Sequence, residues 1–244
     1  MRGIYIAATG LMSHARSMDV TGNNLANLDT TGYKRDRLAQ RSFGEHLTYL
    51  LTPESDAVPI GTVTHGVVVD EAETWYGQGA VEQTGRSLDL AIAGNGFFTV
   101  TLPEGTALTR NGRFTMDAEG FLADAAGNRL QGVGGPIRLQ SSDFTVDETG
   151  NVYENGALAG ALRITCPADP AGMQKLGENY YTYNGAEDAF EGKIVQGALE
   201  ASNVDVTNEM AGMIADTRAF QTCAQVLRTM DELTAKAVQL GSIK

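Results

Sequence analysis

The chain has 244 residues with a formal net charge of −12, and 42% of its residues are hydrophobic and 20% charged. This length allows one large domain or two small ones, and the composition excludes a wholly disordered chain and a membrane-spanning one. Because phosphate backbones and anionic lipid surfaces repel a negative protein, neither nucleic acid nor direct membrane insertion is expected.

Residues 1–32 are predicted to form an N-terminal helix. Apolar side chains recur there every seven positions, at Ile4, Leu11, Met18 and Leu25. Such a narrow stripe is typical of a helix that packs along another helix. Glycines at positions 3, 10 and 22 each cost about 1 kcal/mol relative to alanine, so the isolated helix is marginal. Polar residues interrupt the apolar start, so no cleaved Sec signal peptide is expected.

The next segment, residues 33–64, has no clear period. A charged run at its start, residues 34–37, is followed by aromatic and leucine residues between positions 43 and 51. We interpret this segment as an extended arm or linker that contacts a partner.

Residues 65–200 are predicted to form a central all-β domain of short antiparallel strands. Glycine-rich turns separate strand patterns at 67–73, 88–92, 97–102, 107–110, 135–139 and 161–165. An internal repeat supports this prediction, because Phe114–Leu122 recurs as Phe144–Val152. Both copies contain Asp-x-x-Gly, which is typical of a tight hairpin turn. Residues 94–96, Gly-Asn-Gly, are likewise predicted to form a hairpin turn.

Residues 201–244 are predicted to form a C-terminal helix. Its apolar stripe includes Met213, Phe220, Leu227 and Met230. The expected fold class is therefore mixed α and β, with terminal helices in a coiled-coil-like α layer and a central β domain. The helices could also cover the β domain in an ordinary monomer, but the narrow stripe of the first helix favours self-association. The two stripes are then the expected assembly interface.

No catalytic, cofactor or metal site is predicted. His14, His46 and His65 belong to no metal-binding motif, and the acids of the second Asp-x-x-Gly turn lack the spacing of a calcium loop. Cys166 and Cys223 form no Cys-x-x-Cys pair, so neither a disulfide framework nor a zinc site is indicated. An enzyme is therefore disfavoured, because no nucleophile has an acid or base at motif spacing.

Four stretches of the sequence carry a family resemblance. The first comprises Asn23, Asn24, Leu25, Ala26 and Asn27, followed by residues 31–35, which include Gly32, Tyr33 and Lys34. The others are 94–98, 109–114 and the C-terminal 202–221. In order and over nearly the whole chain, they resemble the bacterial flagellar rod and hook family of axial proteins. The resemblance implies a structural subunit of the basal-body rod, which self-assembles through its terminal helices into a hollow drive shaft.

The resemblance also implies partners and a location in the flagellar basal body. The partners would be copies of the chain, other rod and hook axial proteins, and the flagellar type III export apparatus. The short arm between Phe43 and Ile60 favours a proximal-rod or hook-basal body type, with a distal rod subunit as the alternative. A different class, a secreted β-domain adhesin, would need a signal peptide or an exposed aromatic patch. The lone tryptophan, Trp75, is instead predicted to lie in the core.

Overall fold

The computed structural model describes residues 2–52, 55–141, 143–177 and 179–241, which form two compact units. The helical unit contains the residues up to Ala26, Asp36–Trp75 and the residues from Asp205. The β unit contains Asn27–Arg35 and Tyr76–Val204, so the chain passes between the units four times. Residue 1 and residues 242–244, the ends of the predicted helical segments, lie outside the described residues.

Both predicted terminal helices are present. Helix α1 spans Arg2–Ala26 and helix α2 spans Val206–Gly241. Asp205 caps the start of α2, because its Oδ1 accepts the N–H of Thr207 at 2.9 Å and that of Asn208 at 3.2 Å. The prediction of terminal helices around a β-rich centre of antiparallel strands is confirmed.

The segment after the first helix forms a two-stranded antiparallel hairpin, β1 (Asp36–Thr52) and β2 (Ser55–Thr74). It includes the strand expected at 67–73, which belongs to the helical unit. The hairpin approaches α1 closely at Gly66, which has φ of 152°. A methyl group there would lie 2.5 Å from Oγ1 of Thr9, so glycine is required for this approach.

The β unit contains the other strands, which are short. They are β3 (Val81–Gln83), β4 (Leu90–Ala93), β5 (Phe97–Leu102), β6 (Gly105–Thr109), β7 (Thr115–Met116), β8 (Leu122–Ala123), β9 (Arg129–Gly132), β10 (Gly135–Pro136), β11 (Phe144–Val146), β12 (Asn151–Glu154), β13 (Ala157–Ala161), β14 (Ile164–Pro167), β15 (Gln174–Gly177), β16 (Tyr180–Thr182), β17 (Glu187–Asp188), β18 (Lys193–Gln196) and β19 (Ala198–Glu200). A 3-10 turn at Pro170–Gly172 precedes β15.

The strands of the β unit build several antiparallel sheets around one main core. The largest sheet has the order β15-β16-β6-β5-β9-β8-β7, and β10, β14 and β17 pair at its sides. A second sheet has the order β11-β12-β13, and β18 pairs with β4 and β19 with β3. Phe98 and Phe114 meet edge to face with ring centroids 5.4 Å apart, and both are fully buried. Each large side chain buried in this way stabilises the unit by about 1.5–3 kcal/mol.

Three turns of the β unit share one hydrogen-bonding pattern. Each has an aspartate followed three positions later by a glycine with φ between 86° and 93°, at Asp117–Gly120, Asp124–Gly127 and Asp147–Gly150. One carboxylate oxygen accepts the N–H groups two and four positions later, at 2.8–2.9 Å. The two predicted copies are confirmed as hairpin turns, β7 to β8 and β11 to β12. The turn at Asp124 was not predicted from the sequence.

Stability in acid is expected to depend on the turn at Asp147. Hydrogen bonds from Asn151 and Thr149 lower the pKa of Asp147 from 3.8 to about 2. A carboxyl whose pKa is lowered on folding stabilises the fold above its unfolded pKa, and this contribution is lost as the pH falls from about 4 to 2. In urea titrations at pH 5 and pH 2.5, Asp147→Asn should therefore lose less stability on acidification than the wild type. Asp143→Asn, at an exposed aspartate nearby, is the control and should behave like the wild type.

Two local predictions are wrong. Residues 94–96 are not a hairpin turn, because β4 pairs with β18, whereas β5 pairs with other strands. The two glycines instead allow close packing: a methyl group at Gly94 would lie 2.8 Å from Cα of Gly192. Trp75 is not in the core, because it follows β2, is exposed, and has the guanidinium of Arg37 5.1 Å from its ring centroid.

Candidate functional site

The two helices of the helical unit run antiparallel along each other. Their contacts step by seven residues, pairing Gly3 with Met230, Gly10 with Cys223, Ser17 with Asp216 and Asn24 with Glu209. A methyl group at Gly3 would lie 2.8 Å from Cε of Met230. The glycines that weaken α1 as an isolated helix therefore let the side chains of α2 approach its backbone.

The middle of this contact line is polar. Asp216 of α2 accepts a hydrogen bond from the hydroxyl of Ser17 at 2.6 Å, and its other oxygen lies 2.9 Å from Nδ1 of His14. Thr217 donates to Sδ of Met18 at 3.5 Å. The polar groups fix which faces of the two helices meet, because a partly buried carboxylate is stable only where it has partners.

Of the predicted interface residues, Met18, Met213 and Met230 lie against the other helix. All eight are half-buried within the chain itself: Ile4, Leu11, Met18, Leu25, Met213, Phe220, Leu227 and Met230. On α1 they lie beside the contact line, one position after its glycines and Ser17. Apolar side chains that are at least half exposed lie elsewhere on the helices, at Tyr5, Met12, Met210, Ile214, Leu233, Val238 and Leu240.

Helix α2 extends beyond its contact with α1. Met230 lies opposite Gly3, so residues 231–241 continue for about 16 Å past the first described turn of α1. Every side chain in this overhang, including Leu233 at 62% exposure, is exposed. The apolar side chains of the overhang therefore have no cover within the described part of the chain.

Asn24, the second residue of the family motif, ties together three elements of the helical unit. Its Oδ1 accepts the N–H of Asp36 at 3.0 Å, and its Nδ2 donates to the carbonyl of the same residue at 2.9 Å. Nδ2 also lies 3.3 Å from a carboxylate oxygen of Glu209. The amide thus joins the end of α1 to the start of β1 and the first turn of α2, and it is buried.

The other motif residues before the turn have different surroundings. Asn23 and Ala26 are exposed, whereas Leu25 is half-buried. Asn27 begins the turn that ends α1, because its carbonyl accepts the N–H of Thr30 at 3.2 Å and its side chain accepts the hydroxyl of that residue.

Gly32 and Tyr33, which belong to the β unit, lie beside the end of β19. The N–H of Gly32 donates to the carbonyl of Glu200 at 2.8 Å, and the N–H of Asn203 donates to the carbonyl of Tyr33 at 3.3 Å. The ring of Tyr33 is buried, with Nζ of Lys175 4.9 Å from its centroid. The segment that follows α1 therefore runs along the segment that precedes α2.

Gly32→Ala is expected to destabilise the β unit more than the same change at Gly85. Both glycines have positive φ, 68° and 72°, which costs a residue with a side chain about 1–2 kcal/mol. A methyl group at Gly32 would also lie 2.4 Å from the backbone carbon of Arg110, whereas nothing lies within 4 Å at Gly85. Urea denaturation of the two variants measures the difference, and equal losses would show that Gly32 is not held against the β unit.

A buried cluster of charged side chains lies next to Gly32 and Tyr33. Nζ of Lys34 is 2.5 Å from one carboxylate oxygen of Glu200, and Arg110 donates to the other at 2.9 Å. Arg110 also donates to the carbonyls of Ile92 and Gly94, at 3.2 and 2.6 Å. All three charged side chains are almost completely buried. Burial lowers the pKa of Lys34 below its usual 10.5, and the charge of Glu200 opposes this shift.

No local pattern in the sequence predicts this cluster. Lys34 and Arg110 fall in stretches that carry the family resemblance, but no pattern linked them. For Glu200 the sequence gives only a weak indication of a role in the cluster, because this acidic residue follows the apolar pair Ala198-Leu199. The contact joins residues 166 positions apart, a separation that no local pattern reports.

The described residues contain no cluster of metal-ligating side chains. No three His, Cys, Asp or Glu side chains in residues 2–52, 55–141, 143–177 and 179–241 are close enough to hold a metal ion. The side chains of His46 and His65 lie outside the described part. Burial raises the pKa of the Cys166 thiol, which keeps it protonated at neutral pH. No described helix has the length and apolar character needed to cross a membrane.

Comparison with known families accounts for most of the chain. The model of the flagella basal body rod protein matches residues 4–34, which include most of α1 as well as Gly32 and Tyr33. The flagellar hook protein FlgE/F/G D1 domain matches residues 91–154, and the flagellar basal body rod FlgEFG protein C-terminal domain matches residues 195–240.

Whole-chain relatives decide the family. The chain is 32% identical to the flagellar basal-body rod protein FlgF of Caulobacter vibrioides, with 98% of each chain covered. It is 30% identical to the basal-body rod protein FlgG of Bacillus subtilis, over 98% of this chain and 99% of the relative. The chain belongs to the flagellar basal-body rod protein family. Another relative in this family, 26% identical over both full lengths, is the hook-basal body complex protein FlhO of Bacillus subtilis.

The matched regions of the rod family coincide with the contacts described above. The N-terminal match ends at Lys34 and the C-terminal match includes Glu200, so it is these two regions that meet in the buried cluster. They also contain most of α1 and most of α2, the two helices that pack in the helical unit.

Proposed function

We propose that the chain is a structural subunit of the flagellar basal-body rod, which self-assembles through its terminal helices into the hollow shaft that transmits torque. Membership of the rod family supports this proposal. The observation that carries it is the overhang of α2, residues 231–241, with its exposed apolar side chains. These apolar side chains leave water only when a partner covers them, which favours a partner at this end of α2.

In this proposal the eight predicted interface residues hold the helix pair together, and the exposed apolar residues contact neighbouring subunits. Helix pairs from many subunits would form a coiled-coil-like inner α layer. The neighbours would be copies of the chain and other rod and hook axial proteins, delivered by the flagellar type III export apparatus. No catalytic residue is needed for such a role.

Leu233→Asp tests the role of the overhang. Because Leu233 is exposed, the change should leave the melting temperature of the monomer unaltered. In an assembled rod it would bury an unpaired carboxylate in every subunit, at a cost of several kcal/mol each. We therefore expect the variant to be absent from isolated basal bodies and the cells to be non-motile.

Thr234→Asp is the matched control, because it adds the same charge at the next position, about 100° around the helix. It should retain at least part of the swimming. Normal incorporation of Leu233→Asp would remove the overhang from the assembly interface.

We propose the proximal type of rod subunit, on the ground of the short segment between Phe43 and Ile60. Relatives named FlgF and FlgG both match nearly the whole chain, so overall similarity does not separate the types. Immunogold labelling of isolated basal bodies tests the assignment. Label at the inner end of the rod is expected, and label only at the hook end would show the distal type.

A further inference from the structure

Three segments of the β unit contact one another near the points where the chain enters or leaves this unit. They are residues 31–35, 77–80 and 200–203, which we call the exit segments. Each lies within two positions of a passage of the chain between the two units. Together they adjoin three of the four passages.

Backbone contacts join the exit segments in pairs. The N–H of Gly32 donates to the carbonyl of Glu200, and the N–H of Ala201 donates to the carbonyl of Ala80, both at 2.8 Å. A methyl group at Gly79 would clash with the carbonyl oxygen of Ala201, so the two backbones pass very close to each other. The segment 200–203 therefore contacts both of the others.

One side chain, that of Asn203, joins all three exit segments. Its Oδ1 accepts the N–H of Arg35 at 2.8 Å, and its Nδ2 donates to the carbonyl of Gly77 at 2.8 Å. Nζ of Lys34 donates to the same carbonyl at 2.8 Å. Movement of any one segment away from the others therefore breaks a hydrogen bond of the Asn203 amide.

We propose that Asn203 is a latch that makes the exit segments open from the β unit as a single piece, while the main core stays closed. Proteins open locally in cooperative units at free energies below that of global unfolding. Among the residues that the structure describes, the main core around Phe98 and Phe114 contains no member of the exit segments. One opening event then loosens the chain at three of its four passages between the units.

The buried charges also favour a concerted opening. Oε1 of Glu200 accepts a hydrogen bond from Nζ of Lys34 at 2.5 Å and one from the N–H of Gly79 at 2.8 Å, so this oxygen touches both other segments. Withdrawal of the segment 200–203 alone would leave Lys34 and Arg110 buried without their carboxylate, which is strongly unfavourable. When the exit segments open together, Lys34 keeps Glu200 as its partner.

Native-state hydrogen exchange of the full-length wild-type chain tests the latch without any substitution. Exchange rates are measured by NMR at increasing urea concentrations below the unfolding transition. We expect the amides of Gly32, Gly79 and Asn203 to share one opening constant and one urea dependence. They should exchange at least ten-fold faster than the amides of β5 in the main core. Separate opening constants, or exchange only together with β5, would overturn the proposal.

Asn203→Ala provides a second measurement, because it removes both hydrogen bonds of the side chain. The amides of Gly32 and Gly79 do not bond to this side chain, yet we expect both to exchange about ten-fold faster in the variant. The amides of β5 should keep their wild-type rates.

The matched control is Asn151→Ala, which also removes a hydrogen-bonded amide from a turn of the β unit. It should leave the exchange of Gly32 and Gly79 at the wild-type rate. Faster exchange at Arg35 alone, or equal acceleration in the two variants, would show that Asn203 does not couple the segments. Both measurements use the monomer, so their outcome is independent of the proposed function.

Discussion

Replacing Glu200 by glutamine is expected to lower the free energy of unfolding of the β unit by about 3–5 kcal/mol. The change removes the one carboxylate that Lys34 and Arg110 share, and it leaves two cations buried close together. Glutamine has nearly the same volume, so packing is preserved and the loss reports charge. A loss of this size corresponds to a fall in melting temperature of about 10 °C, which calorimetry of the purified chain measures.

Lys34→Met provides the comparison for this prediction. It removes one of the two cations and leaves the Arg110–Glu200 pair neutral, with the hydrogen bonds of Arg110 to two backbone carbonyls intact. Replacing a buried ion by an apolar side chain of similar length often costs little. We therefore expect Lys34→Met to be clearly less harmful than Glu200→Gln. The opposite order would mean that the cluster is held by the lysine and not by its shared carboxylate.

Leu227→Asp is expected to abolish swimming by damaging the helical unit of the monomer. Leu227 is half-buried, and a carboxylate in its place should cost the helix pair several kcal/mol. Amide hydrogens of α1 and α2 should then exchange faster, while those of the β unit, which has its own core, should keep their wild-type rates. Hydrogen exchange followed by mass spectrometry, together with a swimming assay of the complemented strain, measures both effects.

Leu11→Asp on the facing helix should behave in the same way, since Leu11 is half-buried too. Leu233→Asp should differ, because it leaves the monomer intact and blocks only assembly. Faster exchange in the β unit of Leu227→Asp, or normal swimming, would contradict the division of roles between half-buried and exposed residues of the helices.

Local patterns predicted the elements whose physics is local. The seven-residue stripes indicated both terminal helices, and Asp-x-x-Gly indicated two hairpin turns, because in each case neighbouring residues determine the structure. The stripe of α1 did not, however, identify the residues opposite α2. The actual contact line runs through the small residues Gly3, Gly10 and Ser17. The sequence shows that such residues weaken an isolated helix, but it does not show that they pack against α2.

Features that depend on residues far apart in the sequence could not be predicted. The sequence of β1 and β2 does not alternate regularly between apolar and polar residues. The pairing of the two strands is therefore visible only in the structure. The buried cluster likewise needs Lys34, Arg110 and Glu200 to be brought from three regions of the chain. A charged residue in a sequence gives no sign of burial until its counter-ion is known.

The positions of Lys34 and Glu200 in the chain also affect when their contact can form. Residues 31–35 pack against residues near 77, 110 and 200–203. These contacts cannot form until the ribosome has made most of the protein. Until then the amino-terminal segment has no counter-charge to bury against. We therefore expect a chain that ends before Glu200 to keep this lysine in water, because the carboxylate that pairs with it lies in the last strand of the β unit.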